Sequence, residues 1–145
     1  MYEHIYQELA KKYSIEIIGP GSKGIKWFPW GARYAKNWGV ITSFGGDWYV
    51  FLGEFDCDEL KLVGFFHEIG HAKINDDMCG KREYDLTVGP NCERYENERQ
   101  AWKIARELAL EYDIEWTNKM TAFEEECLAV YGNDRRYGLA CLNWK

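Results

Sequence analysis

At 145 residues, with 46% hydrophobic and 17% aromatic content, the chain suits one domain (residues 1–145) around one core and is too apolar to stay disordered. A net charge of −6, with no basic run longer than a pair such as Lys81-Arg82 or Arg135-Arg136, argues against a nucleic-acid binder. Five cysteines, an odd number with no C-x-x-C, argue against a disulfide scaffold or a zinc ribbon. Met1-Tyr2-Glu3-His4 has no signal-peptide character, and no apolar run is long enough to span a membrane, so a soluble, cytoplasmic protein with reduced thiols is expected.

Ile5, Leu9 and Tyr13 recur at helical spacing, flanked by Tyr2 and Tyr6, and predict a first helix over residues 1–13. Residues 15–18 form a short β-like run that ends at Gly19-Pro20-Gly21. Residues 34–42 and 47–52 are rich in aromatic and β-branched types, and Gly45-Gly46 lies between them. This predicts a hairpin within a small antiparallel sheet. Asp56 followed by Glu59 has the form of a capping box, opening a second helix over about 57–74. Residues 80–91 read as irregular, with Gly89-Pro90 as a breaker. Asn91 then caps a third helix to about Tyr112, and a fourth helix covers 118–131 and stops at Gly132-Asn133. The tail 135–145 reads as a short helix or a packed strand.

The chemistry is concentrated in His67-Glu68-Ile69-Gly70-His71 on the second predicted helix. The four-residue spacing puts both imidazoles on one helix face, one turn apart, where they can bind a single Zn²⁺. Glu68 projects beside them and suits a general base acting on a zinc-activated water. Two of only three histidines fall in this motif; the third, His4, is expected at the surface.

A catalytic zinc site needs a third protein ligand. The metzincin pattern requires a glycine three and a histidine six residues after the second ligand, where this chain has Ile74 and Asp77. A glutamate on the third helix is the alternative, from Glu93, Glu96, Glu98, Glu107 and Glu111. Tyr95, Trp102, Ala105, Ala109 and Tyr112 form an inward stripe, and Glu98 falls within it while the others keep to the polar face. A carboxylate facing a core is costly unless it is paired or bound to a cation, so Glu98 is the expected third ligand.

His67-Glu68-Ile69-Gly70-His71, followed by Glu98-Arg99-Gln100-Ala101-Trp102-Lys103-Ile104-Ala105, resembles the ImmA/IrrE family of metallopeptidases. That family is similar to the gluzincins, with HExxH on one helix and the glutamate ligand on the next in a Glu-x-x-Ala-x-x-x-Ala setting that Glu98, Ala101 and Ala105 match. The resemblance covers roughly residues 1–110 and implies an α+β, zincin-like fold: an N-terminal helix, a small antiparallel sheet or hairpin, the HExxH and glutamate-ligand helices, and a C-terminal helix. Trp102 departs from the family, which often has Asn or Asp there, and no Leu-Leu-Met-Pro-like segment follows the glutamate helix.

The reading that follows is a zinc endopeptidase acting on a protein or peptide substrate, with His67, His71 and Glu98 as ligands and Glu68 as base. By resemblance, the substrate is a regulator or repressor of a phage or mobile element. The alternative is a non-catalytic metal-binding interaction protein, such as a phage-encoded inhibitor that docks to a host partner; Glu68 favours the enzyme. Tyr84, Tyr95 and Tyr131 are candidate oxyanion donors. Asp76 and Asp77 are candidates for orienting a ligand histidine, and residues 47–52 for pairing with an extended substrate.

Overall fold

The computed structural model describes residues 1–19, 37, 39–44, 47–74 and 90–133. Its elements in chain order are α1 (Glu3–Lys12), β1 (Ile15–Ile18), β2 (Gly39–Phe44), β3 (Asp47–Leu52), α2 (Asp58–Lys73), α3 (Pro90–Glu111) and α4 (Asn118–Asn133). The protein is thus α+β, with four helices and a small sheet among the described residues. None of these helices is long and apolar enough to cross a membrane.

Helix α2 is the centre of the fold. Leu60, Leu62, Val63, Phe65, Phe66 and Ile69 are all buried, at positions around the whole helix rather than along one stripe. An all-round apolar helix must be covered on several sides, and α2 touches β2, β3, α3 and α4. Each such side chain contributes about 1.5–3 kcal/mol on full burial. From α1, Ile5 and Leu9 join this core, and Tyr6 meets Phe65 with ring centroids 5.0 Å apart.

The sheet order is β1-β3-β2. The hairpin partners β2 and β3 run antiparallel, pairing Gly39 with Leu52 and Phe44 with Asp47. On the far side of β3, β1 pairs in parallel, Ile15 with Trp48 through Ile18 with Phe51. The sheet is therefore mixed, which corrects the expectation of an antiparallel one. The cause lies in β3, where Val50, Phe51 and Leu52 are consecutive and all buried. Such a run needs cover on both faces and suits an interior strand, so both of its edges are taken.

Helix starts differ in chemistry from the expectation. The N-cap of α2 is Cys57, with extended backbone (φ −154°, ψ 164°) and no side-chain cap hydrogen bond. Asp56 is instead engaged by Asn37, whose Nδ2 donates to Asp56 Oδ2 at 2.9 Å and whose Oδ1 accepts from the Asp56 amide at 2.9 Å. Helix α3 begins on Pro90 rather than after it, since the fixed φ and missing N–H of proline suit a first helical turn. Helix α4 continues through Gly132 and Asn133, where a stop was expected. Its predecessor closes with Asp113 in the left-handed region (φ 58°), and the Ile114 amide donates back to the Ala109 carbonyl at 2.8 Å. The expected irregular stretch 80–89, the Asp76-Asp77 pair and the tail 135–145 lie outside the described residues.

Candidate metal centre

Helix α2 passes across α3 at unusually short range. A methyl group built on Gly70 would lie 2.5 Å from the Ala101 carbonyl oxygen and 2.8 Å from its Cα. Only a bare glycine lets the two backbones come this close. One turn before Gly70 is His67 and one residue after it is His71; three residues before Ala101 is Glu98. The close crossing therefore brings these three side chains to one place.

There, both oxygens of Glu98 meet an imidazole. His67 Nε2 is 3.0 Å from Glu98 Oε1, and His71 Nε2 is 2.8 Å from Glu98 Oε2. One ligand atom from each residue can be chosen so that all lie within 4.8 Å of one another. Glu98 is 3% exposed and His71 is fully buried, while the His67 side chain keeps 12% of its surface. Any approach to the centre over the described residues is therefore on the His67 side.

These residues fit a metal ion. Tetrahedral ligation at about 2.0–2.2 Å separates neighbouring ligand atoms by roughly 3.3 Å, close to the contacts seen. Glu98 Oε2 is buried and accepts no hydrogen bond despite its 2.8 Å approach to a ring nitrogen. That misalignment is expected where an oxygen and a nitrogen direct lone pairs at a common point rather than at each other. Two imidazoles and one carboxylate form a donor set that can hold a metal ion.

Glu68 lies beside them, 3% exposed, with Oε2 3.0 Å from His67 Nδ1. Its other oxygen, Oε1, is buried and has no hydrogen-bond partner among the described residues. A carboxylate at Nδ1 keeps the proton on that nitrogen and leaves Nε2 for a metal. His67 is thus flanked by carboxylates at both nitrogens. Burial disfavours charge on its ring, but Glu98 and then Glu68 outweigh this and raise its pKa above the ordinary 6.5. Burial also opposes charge on Glu98, and the His71 and His67 imidazoles overcome it, holding that carboxyl well below the usual carboxylate range.

The signs of these shifts define a pH window. A depressed Glu98 pKa contributes stability above the unfolded value of about 4.5, and this is lost as pH falls through the folded pKa. A raised His67 pKa contributes in full below about 6.5, and this is lost as pH rises through the folded pKa. In metal-free protein, the urea-unfolding gap between wild type and Glu98→Gln is therefore expected to be widest between about pH 4.5 and 6.5. A gap that does not change with pH would contradict this.

Cys127 of α4 shares the electrostatic surroundings of the site. Its thiol is pushed up to about 12, first by burial and then by the Glu98 and Glu68 carboxylates. Peptide mapping after iodoacetamide treatment at pH 8 should find Cys127 labelled far more slowly in folded than in denatured protein. Equal rates would show that the thiol is not held this way.

The structure brings together all three expected ligands and the expected base, and it leaves His4 exposed. Of the other glutamates on α3, Glu96, Glu107 and Glu111 are exposed, as their helical phase predicts. Tyr84, Asp76, Asp77 and the side chains of Tyr95, Tyr131 and Glu93 lie outside the described residues. Residues 47–52 cannot add a substrate strand, because β3 is interior. Among the described residues the strand next to the site with an unpaired edge is β2, where a side chain on Gly39 would reach Glu68 Cγ at 3.7 Å. Sequence reading missed the role of Gly70, although a glycine in a helix interior costs about 1 kcal/mol against alanine and so signals a packing demand. No protein-family model, curated protein or solved structure matches the chain.

Proposed function

We propose that this protein is a zincin-like, zinc-dependent endopeptidase that hydrolyses a peptide bond in a protein substrate. One observation carries the reading: the two imidazoles of an HExxH helix and a buried glutamate on the next helix each bring one ligand atom to within 4.8 Å of the others. That donor set suits Zn²⁺. When bound, zinc supplies Lewis acidity to a carbonyl and acidifies water.

The chain's own residues supply the rest. Glu98, His67 and His71 hold the ion, and Glu68 Oε2 orients His67 by accepting from Nδ1–H. Glu68 Oε1, without a hydrogen-bond partner among the described residues, takes the proton of the attacking water and returns it to the leaving amine. An extended substrate adding to the edge of β2 that is unpaired among the described residues would run past Gly39 and so past Glu68. The resemblance to ImmA/IrrE peptidases makes a phage or mobile-element regulator the proposed substrate. The free thiols of Cys57 and Cys127 support a cytoplasmic setting.

The test is Glu68→Gln. The amide oxygen still accepts from His67 Nδ1, so the variant should keep about one zinc per chain and its fold. It should also lose a proteolytic fragment that wild type generates in cells, read by proteomics of protein termini. A biological effect that survives the change would favour a metal-binding protein that acts by docking.

A further inference from the structure

We infer that Trp102 is a positioning residue for the metal centre, holding the His67 ring by its face. The inference rests on the metal-binding reading of His67, His71 and Glu98. Trp102 follows Glu98 by one helical turn on α3, so both side chains address the same neighbour. Glu98 meets the edge of the His67 ring at Nε2, whereas Trp102 lies flat against it, with centroids 4.3 Å apart and planes inclined by 15°. The edge at Nδ1 belongs to Glu68, and His71 meets the ring edge-on at 4.7 Å and 71°. His67 is therefore enclosed on one face and at both nitrogens.

The indole is itself held from behind. Phe123 of α4 meets it edge-on at 5.7 Å and 90°, and Trp116 does so at 6.4 Å and 84°. Phe55 in turn abuts Phe123 at 6.2 Å. Packing on several sides restrains this ring, and with it the imidazole stacked on it. This gives α4 and the turn before it a part in the site, as the backing of Trp102.

Simple core filling accounts for the position less well. Trp102 is 1% exposed, and among the described residues its Nε1–H has no hydrogen-bond partner. A buried donor left unpaired costs free energy, and a position selected for packing alone gains nothing from it. The face of the indole does gain, because an electron-rich ring favours a neighbouring imidazole that carries positive charge or ligates a cation. Stacking on the face thus adds to the hydrogen bond that His67 Nδ1–H donates to Glu68, and the two together fix the ring.

The experiment measures Zn²⁺ affinity of metal-free wild type, Trp102→Phe and Trp102→Leu by competition with a chromophoric chelator, with the metal-free melting temperature of each. Tryptophan emission is followed through the same titrations. Trp102→Phe keeps a stacking face and is expected to bind within about threefold of wild type. Trp102→Leu fills the space without one and should bind about 10–100-fold more weakly. Zinc should change the emission of wild type, and that change should be absent from Trp102→Phe. Wild-type affinity in Trp102→Leu would overturn the inference, as would equal weakening of both variants in step with their melting temperatures. Should Trp102→Leu not fold, Trp102→Phe decides: weakened binding, or an undiminished emission change, overturns the inference. A wild type that binds no zinc sinks the metal reading along with it, an outcome distinct from a Trp102 failure in a zinc-binding protein.

Discussion

Replacing Gly70 with alanine is expected to weaken zinc binding about a hundredfold without touching a ligand. The new methyl would sit 2.5 Å from the Ala101 carbonyl oxygen and 3.0 Å from its carbonyl carbon. These are backbone atoms, with no side-chain rotation to relieve the clash, so α2 and α3 must move apart by about 1 Å to restore van der Waals contact. The ligand contacts that span this crossing are 2.8 and 3.0 Å, and a displacement of that size takes Glu98 out of reach of one or both histidines. A misplacement of about 1 Å at a functional site can cost about 10²-fold. Overpacking also costs about 1–3 kcal/mol, a fall of roughly 3–12 °C in the melting temperature of a chain this size. Isothermal titration with zinc and calorimetry of the metal-free form would measure both. Wild-type zinc affinity in Gly70→Ala would show that the crossing distance does not set the site.

The second large effect is expected from Glu98→Ala. Metal content should fall from about one ion per chain to none, because two neighbouring imidazoles alone leave the coordination shell open. In the metal-free protein the change also removes the anion that both histidines face. Deleting one partner of a buried charged cluster typically costs about 3–5 kcal/mol, or about 10 °C in melting temperature at pH 5–6, where the Glu98 and His67 contributions coincide. Glu98→Gln keeps the shape and should lose the metal with a smaller loss of stability. Full zinc occupancy in either variant, read by elemental analysis, would remove Glu98 from the ligand set and with it the proposed catalysis.

These outcomes trace back to features that differ in how local they are. His67, Glu68 and His71 belong to one helical turn and a half, so their mutual arrangement follows from spacing alone. Glu98 was legible because a charged residue broke an apolar stripe, and its 3% exposure agrees with that phase. The stack of Trp102 on His67 was not legible. The sequence marks Trp102 as a departure from the peptidases it resembles, but the geometry of the stack depends on Phe123 and Trp116 packed against it. The parallel pairing of β1 was missed for a similar reason. Its Ile15 and Ile18 bury equally well in a parallel or an antiparallel partnership, and the direction depends on how the chain is routed from α1 along the edge of β3 that the hairpin leaves open.

Composition, periodicity and the HExxH spacing by themselves determined the helices, the hairpin, the histidine pair with its neighbouring carboxylate, and the inward face of α3. Each depends on residues within a few turns of one another, where backbone geometry dictates what shares a face. Only the tertiary structure decided how closely α2 and α3 approach at Gly70 and Ala101, which face of His67 is covered, and which strand edge lies beside Glu68. Those depend on contacts between segments distant in the chain. Hydrophobic burial constrains such contacts collectively, whereas short-range pattern says nothing about any one of them.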